Sequence, residues 1–288
     1  MTAAAQAWLA GPRKTAAAPL ADLSRISLNQ ITAEQLSLAE AAAACARAGV
    51  PWIGPWRHKL EGGADSAARV VHEAGLRVSS LCRGGFFPTA DAAARRERDA
   101  DNRRAVDEAA GLGTDVLVLV CGPAPDGDLA AARRMVLEGI ERLLPHAAER
   151  GVRLGIEPLH PMMIAERSVV VTLAQANDLA EHFDPKHVGV VIDAYHVWWD
   201  PDLHREVDRA AGRIVGYHVS DWLSPTPDVL AGRGMMGDGV IDLRGVRGLV
   251  EEAGYDGPIE VEVINPGLME LAGDELLALV CERCLSCV

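Results

Sequence analysis

Four acidic or imidazole side chains stand near the ends of four successive apolar segments in the second half of the chain. Glu157 follows RLGI, Asp193 ends VGVVID, His218 lies in GYHVSD and Glu262 lies in IEVEV. The gaps between them are 36, 25 and 44 residues, each about one strand–helix unit. An ionised carboxylate at the mouth of a buried strand is unfavourable unless something pairs with it. The pattern therefore predicts that the four side chains converge on one site.

Three carboxylates and one imidazole form a ligand set for a divalent cation. Such a set suits Mn²⁺, Mg²⁺, Co²⁺ or Zn²⁺, and ligand type alone does not choose among these ions. We predict one divalent ion bound by Glu157, Asp193, His218 and Glu262. A lone acid or histidine at such a position is more often structural, but four on successive segments are a stronger signal. Glu260 shares a strand face with Glu262 and is the weaker candidate because it lies deeper.

The segments that position these residues alternate between apolar and amphipathic runs. The apolar runs are nearly continuous in Val, Ile and Leu, as is typical of parallel strands covered on both faces. Eight of them are predicted strands: 26–31, 50–56, 76–82, 115–121, 153–159, 188–196, 214–221 and 259–264. The predicted helices are 32–49, 94–113, 126–151, 172–183 and 242–254. Thr32 and Gln35 have the spacing of a capping box, and Gly49 is a stop signal.

This alternation predicts an α/β fold, a (β/α)₈ TIM barrel, in which functional groups lie at the carboxyl ends of the strands. A doubly wound sheet is the alternative, but it usually has a Gly-rich turn after its first strand. The corresponding segment here, SLNQITAEQ, has no glycine. Residues 1–23, rich in Ala and Pro, are predicted to be a flexible extension that the barrel does not need. Residues 24–288 are predicted to form one barrel domain.

Composition restricts the classes of function. The chain has 288 residues, 49% of them apolar, and a net charge of −13. Nucleic-acid surfaces are normally basic, so no nucleic-acid partner is predicted. No run reaches the roughly 18 apolar residues of a membrane span, and the N-terminus lacks a basic start followed by an apolar run. We expect a cytoplasmic protein with no membrane partner, acting on a small molecule and forming a homodimer or homotetramer.

Six cysteines are present. Three are scattered through apolar segments and are expected to be small buried hydrophobes. The others, Cys281, Cys284 and Cys287, lie in CERCLSC near the C-terminus. A metal cluster is one interpretation of this run, but no partner set of His or Cys lies nearby in sequence. Reduced thiols in a cytosolic protein are the simpler interpretation.

Several motifs resemble the xylose isomerase-like barrels, specifically the sugar phosphate isomerase/epimerase group. They are GIEPLHP, VIDAYHVWWDP, GYHVSDW, RGMMGDGVIDL and GYDGPIEVEVIN, and the likeness covers about residues 24–280. This group includes ketose 3-epimerases, inosose isomerases and dehydratases, and hydroxypyruvate isomerases. The resemblance implies a metal-binding enzyme of carbohydrate metabolism, with manganese among the candidate ions. One departure is Met236, where proline is common in the family.

The resemblance also implies roles for individual residues. Glu157 and Glu262 match glutamates that both bind the metal and exchange protons with the substrate carbon. His196 and Arg233 match residues that contact substrate oxygen atoms.

Further residues are assigned to the barrel mouth by position. His160 and Trp222 are predicted there as further substrate-binding residues. Arg83, in RGGFF after the third strand, fits a pocket wall and a surface loop equally well.

The predicted activity is isomerisation or epimerisation of a sugar, cyclitol or related hydroxy-carbonyl compound. The predicted step is proton transfer next to a carbonyl, through an enediolate stabilised by the metal. A lyase that dehydrates a similar substrate is the alternative. A non-catalytic barrel subunit and an apurinic endonuclease-like phosphodiesterase are less favoured. The endonuclease would need histidines at the ends of strands two to four, and SSLCRGG and LVCGPAP contain none.

Overall fold

A ring of parallel strands forms the centre of the molecule. The structure, a computed structural model, describes residues 17–288. Its strands are β1 Ile26–Asn29, β2 Trp52–Gly54, β3 Arg77–Val78, β4 Leu81–Gly85, β5 Val116–Val120, β6 Arg153–Ile156, β7 Val188–Asp193, β8 Ile214–Val219, β9 Asp221–Trp222, β10 Arg233–Gly234 and β11 Ile259–Val261. Nine of these form one sheet in the order β3-β2-β1-β11-β8-β7-β6-β5-β4. The remaining two, β9 and β10, pair as a short antiparallel ribbon.

The ring closes because β3 and β4 are two parts of one barrel strand. Only Ser79 and Ser80 separate them. Beyond these two serines, the Cys82 backbone N–H in β4 donates to the carbonyl of Pro55, which directly follows β2, at 3.1 Å. The β2 segment is therefore hydrogen-bonded first to β3 and then to β4. The strand positions therefore number eight, and the predicted (β/α)₈ barrel is confirmed.

Helices follow the strands and cover the ring. Within the part of the chain that the structure describes they are α1 Leu38–Ala48, α2 Ala64–Glu73, α3 Ala92–Leu112, α4 Leu129–Glu149, α5 Leu173–Ala180, α6 Ala194–Val197, α7 Leu203–Arg209, α8 Leu243–Glu252 and α9 Gly273–Cys287. The main core lies between the strands and these helices. A separate apolar layer fills the ring interior and includes Val116, Val118, Val191 and Val215. None of the helices among the described residues has both the length and the apolar character to cross a bilayer.

The first helix begins later than the sequence predicts. Its N-cap is Ser37, whose hydroxyl accepts from the Glu40 backbone N–H while the Glu40 carboxylate accepts from the Ser37 N–H at 2.8 Å. Thr32, predicted as the cap, instead lies in a 3₁₀ turn and donates its hydroxyl to the Val261 carbonyl at 2.8 Å. The predicted start is therefore wrong. The predicted end at Gly49 is confirmed, and this residue has a left-handed φ of 75°.

The predicted strand 188–196 is also too long. It ends at Asp193, because the Asp193 carboxylate accepts from the Tyr195 backbone N–H at 2.9 Å and caps the short helix α6. This turn places Asp193 at the carboxyl end of β7, and His196 one helical turn further on.

Residues 17–23, which belong to the predicted extension, contact the barrel. The Ala17 N–H donates to the Arg244 carbonyl at 3.2 Å, and the Arg247 guanidinium donates to the Ala18 carbonyl. Leu20 and Leu23 are partly buried against the core. Residues 1–16 of that extension lie outside the described residues.

Candidate metal centre and active site

The four residues at the strand ends lie together. Glu157 directly follows β6, Asp193 ends β7, His218 lies in β8, and Glu262 directly follows β11. One ligand atom from each lies within 4.8 Å of the others. His218 Nδ1 is 3.3 Å from Glu157 Oε1 and 3.4 Å from Glu262 Oε2. All four side chains are buried, so the cluster is screened from water.

This cluster fits a divalent ion. Glu157 Oε1 and both ring nitrogens of His218 have no hydrogen-bond partner among residues 17–288. Buried polar atoms normally have partners, and one bound ion would satisfy Glu157 Oε1 and His218 Nδ1 together. The donor set of three carboxylates and one imidazole is also one that divalent metals accept. The described chain contains no other such group of three or more His, Cys, Asp or Glu residues.

Arg233 lies directly against the cluster. Its Nη1 is 2.8 Å from Asp193 Oδ2 and 3.2 Å from Glu262 Oε2, and its Nη2 is 3.2 Å from His196 Nε2. The residue lies in β10, so the β9–β10 ribbon carries a positive charge into the site. Arg233 was predicted to contact substrate oxygen. In the structure its guanidinium is buried and pairs with two of the candidate ligands.

The two glutamates differ in basicity because their surroundings differ. Burial raises the pKa of Glu157 to about 7, and the neighbouring charge of Glu262 adds to this. Burial also acts to raise the pKa of Glu262, but the charges of Arg233 and His218 outweigh it and hold that pKa below its usual range. In the metal-free cluster these surroundings favour the ionised form of Glu262 and make Glu157 the easier of the two to protonate.

Glu260 lies on the Nε2 side of the His218 ring. Its Nε2 is 3.7 Å from Glu260 Oε1, and the two residues are aligned across the β8–β11 pair. Glu260 Oε2 in turn accepts from Asn29 Nδ2 at 3.1 Å, and Asn29 Oδ1 accepts from Trp56 Nε1 at 2.7 Å. Burial acts to lower the pKa of His218, but Glu260 and the other carboxylates raise it well above its ordinary value. Glu260 thus lies outside the candidate ligand set, at the edge of the His218 ring opposite Nδ1, and acts on this histidine through its charge.

His196 is surrounded by donors. The His160 backbone N–H points at Nδ1 from 3.2 Å, and the Arg233 guanidinium points at Nε2 from 3.2 Å. A neutral imidazole has one N–H and one acceptor nitrogen, so only one of these contacts can be a hydrogen bond. Burial, together with the charge of Arg233, lowers the pKa of His196 to about 3 despite the opposing effect of Asp193. His196 is therefore neutral at physiological pH.

His160 and Trp222 form an aromatic wall beside the site. Their rings stack with centroids 4.6 Å apart, Trp199 packs edge-on against His160 at 5.8 Å, and Tyr195 lies 4.9 Å from Trp222. Burial lowers the pKa of His160, which favours a neutral ring. The substrate-binding roles of these two residues remain predictions.

A cavity opens onto the two glutamates. Its lining includes Trp56, Arg83, Glu157, Met163, Arg167, His196, Arg233 and Glu262. An outer cavity of about 490 Å³ shares Trp56, Cys82 and Arg83 with it, so the two cavities adjoin. Arg83 is thus part of the pocket wall, whereas the sequence alone fitted a pocket wall and a surface loop equally well. Arg167 was missed, because nothing in its local sequence indicates that its loop folds over this cavity.

The cysteine run near the C-terminus lies away from this centre, on α9. All six cysteines are free thiols. Cys281, Cys284 and Cys287 do not form a metal-binding group within the described residues, and Cys284 is fully buried in the core. The structure therefore gives this run a packing role.

Fold and site together define a barrel enzyme family. The chain belongs to the xylose isomerase-like TIM barrel family, whose sequence profile matches residues 42–280.

Two solved structures are similar to this chain. The crystal structure of protein SMc04130 from Sinorhizobium meliloti 1021 is 49% identical, with a TM-score of 0.89 over 92% of this chain and 99% of that one. The IolI protein, solved with a bound zinc atom, is 20% identical and shares the fold, with a TM-score of 0.79 over 90% of this chain and 96% of that one.

A curated relative has a named activity. The 3-dehydroshikimate dehydratase of Pseudomonas aeruginosa is 33% identical over 182 residues, which is 60% of this chain and 28% of that protein. The chain thus matches little more than a quarter of the dehydratase's length.

Proposed function

We propose that the protein is a divalent-metal-dependent isomerase or epimerase of a sugar, cyclitol or related hydroxy-carbonyl compound. The observation that carries this proposal is the pair Glu157 and Glu262, buried in one cavity and both within 3.4 Å of His218 Nδ1. They follow β6 and β11, which lie on either side of the strands that carry Asp193 and His218. Two carboxylates placed in this way can address one substrate from two directions.

Glu157, Asp193, His218 and Glu262 would hold the ion. When bound, it supplies a Lewis acid that stabilises negative charge on a substrate oxygen next to the reacting carbon. IolI, which shares this fold, was solved with a zinc atom, and this supports a bound divalent ion here, while Mn²⁺, Mg²⁺ and Co²⁺ suit the same ligands.

Proton transfer is assigned to the two glutamates. Glu157 takes the proton from the carbon next to the carbonyl, because it lines the cavity and burial raises its pKa to about 7, which suits a base at neutral pH. Glu262, whose carboxylate accepts a hydrogen bond from Arg233, is the second proton-transfer group and acts from the end of β11. Return of a proton to the opposite face of the same carbon gives an epimer, and return to the neighbouring carbon gives an isomer. Neutral His196 remains available to hydrogen-bond a substrate oxygen.

Dehydration is the second candidate, and the 33% identity to a 3-dehydroshikimate dehydratase favours it. The first step is the same removal of a proton next to a carbonyl. The outcome then differs, because a hydroxyl on the next carbon accepts a proton and leaves as water. A shared first step explains how one site serves either reaction.

The proposal includes a small-molecule substrate and a cytoplasmic location, which six free thiols support. A homodimer or homotetramer is part of the same proposal, and size-exclusion chromatography with light scattering tests it.

The test is isotope exchange. The metal-loaded protein is incubated in D₂O with a panel of ketoses, inososes and 3-dehydroshikimate, and NMR follows deuterium at the carbon next to the carbonyl. Glu157→Gln and Glu262→Gln should lower the exchange rate about 10²- to 10⁴-fold, whereas the exposed Glu138→Gln should not. Metal content is measured for every variant. Full exchange by both Gln variants with metal bound would refute the assignment, and loss of water detected by mass spectrometry would identify the dehydratase.

A further inference from the structure

Two arginines share the cavity with the proposed catalytic glutamates. Arg83 in β4 and Arg167, on the loop between β6 and α5, both line it beside Glu157 and Glu262. They come from different parts of the chain and meet at one aromatic ring. The Arg83 guanidinium carbon is 4.1 Å from the centre of the Phe86 ring, and that of Arg167 is 6.0 Å from it.

Neither guanidinium is neutralised within residues 17–288. The structure records no ion pair or side-chain hydrogen bond for either residue among the described part of the chain, and Arg167 Nε is buried without a partner. Nearby arginines behave differently. Arg57 binds Asp101 and Glu108, and Arg104 binds Asp101.

The two positive charges also affect each other. Burial, together with the charge of Arg167, lowers the pKa of Arg83 to about 10, so Arg83 is still protonated at neutral pH. Two half-buried like charges are unfavourable unless an opposite charge joins them. The acids of the outer cavity do not supply it, since Asp101 is paired with Arg57 and Arg104, and Glu97 makes no ion pair within the described residues.

The ring between the arginines is held in an unusual conformation. Phe86 has a φ of 52° and is the only non-glycine residue with a positive φ in the described chain. Gly122 lies against it, and a Cβ on Gly122 would come within 2.8 Å of Phe86 Cα. Backbone strain of this kind persists where the surrounding structure requires it and is concentrated at functional sites. Here the residue with this conformation carries the ring that lies 4.1 Å from the Arg83 guanidinium carbon and 6.0 Å from that of Arg167.

We propose that Arg83 and Arg167 form an anion subsite that binds a carboxylate or phosphate group of the substrate. The inference rests on the proposed function and gives its substrate class: a hydroxy-carbonyl compound that bears an anionic group. Guanidinium forks match the oxygens of both anions. The cluster of acids repels an anion, so the charged end of the substrate lies at the arginines. Leu159, Met163 and Leu230 supply apolar wall in the same cavity.

Calorimetric binding to the Mn²⁺-loaded full-length protein tests this proposal. The carboxylate arm compares quinate with its methyl ester, and the phosphate arm compares D-fructose 6-phosphate with D-fructose. The charged member of at least one pair should bind about tenfold or more tightly than its uncharged counterpart. Arg83→Met and Arg167→Met should each abolish that preference, and Arg83→Lys should retain part of it. Arg104→Met, which removes a paired arginine from the outer cavity, should leave the preference unchanged.

Each outcome decides the proposal. A preference for quinate identifies a carboxylate subsite, and one for D-fructose 6-phosphate identifies a phosphate subsite. If neither charged compound binds more tightly than its counterpart, or if the Met variants keep the preference, the proposal is wrong. Melting temperature and metal content are measured in parallel. A wild-type protein that prefers the anion but fails to bind metal or exchange deuterium would refute the proposed function and leave the subsite standing.

Discussion

At the scale of single residues, the metal-free cluster holds protons that a metal ion must displace. Burial raises the pKa of Glu157 to about 7, and the surrounding carboxylates raise that of His218. Metal ligands bind in their deprotonated forms. Protons and metal therefore compete at the same atoms, and acid favours the metal-free protein.

Metal affinity should consequently depend on pH. Below pH 7 Glu157 is increasingly protonated in the metal-free protein, so the affinity for Mn²⁺ should fall by about tenfold per pH unit for each proton displaced. Titration calorimetry between pH 6 and 8, in buffers of different ionisation enthalpy, measures both affinity and proton release. Glu157→Gln should bind more weakly and with a flatter pH dependence. An affinity that stays constant over this range contradicts the expectation.

Glu260 provides a second test at this scale, because it touches the site only through His218. Glu260→Gln keeps the size of the side chain and removes the negative charge 3.7 Å from His218 Nε2. Metal affinity should fall about 10- to 100-fold, measured by competition with a chelator. Glu252→Gln, an exposed change on α8, is the matched control. Equal metal affinities of the Glu260 variant and the control would show that the charge of Glu260 does not contribute to metal binding.

At the scale of helices and strands, the sequence predicted the alternation of strands and helices more accurately than the residues at which each element begins and ends. The eight strand positions are recognisable because buried parallel strands require long apolar runs. Their ends are less so: the Asp193 carboxylate caps the turn that directly follows β7, and Thr32 donates to the distant Val261 carbonyl, which only the folded chain brings close. The candidate ligands were predictable from the spacing of strand ends. Arg83 and Arg167 were not, since their meeting at Phe86 depends on loop conformation.

The cap of α1 gives a prediction for an element. Ser37→Ala removes the hydroxyl that accepts from Glu40 and should lower the free energy of unfolding by about 0.5–2 kcal/mol. Ser286→Ala, an exposed change in the last turn of α9, should cost less, because its hydroxyl caps no helix and contacts only the Glu282 carbonyl and Cys287 Sγ on the same helix. Urea unfolding of the two variants and the wild type measures the difference. A larger loss for Ser286→Ala would contradict the capping assignment.

At the scale of the whole molecule, residues 17–23 pack against the barrel and form hydrogen bonds with α8. A chain that starts at residue 24 loses the Arg247–Ala18 hydrogen bond and the partly buried Leu20 and Leu23. Relative to a chain that starts at residue 17, we expect about 2 kcal/mol less stability and a melting temperature lower by about 4–8 °C. Differential scanning calorimetry of both chains checks this. Equal melting temperatures would show that the segment is dispensable.

Arg83 and Arg167 have no ion-pair partner within residues 17–288, and this has a consequence for how an anionic substrate would reach the site. The protein carries a net charge of −13, so its long-range field repels an anion, while Arg83 and Arg167 attract it only at close quarters. Salt shortens the reach of surface charges from about 30 Å at 0.01 M to about 10 Å at 0.1 M and screens enclosed groups much less. Moderate salt should therefore speed the arrival of the substrate, and stopped-flow association rates would rise with ionic strength where most charged enzyme–substrate pairs slow down.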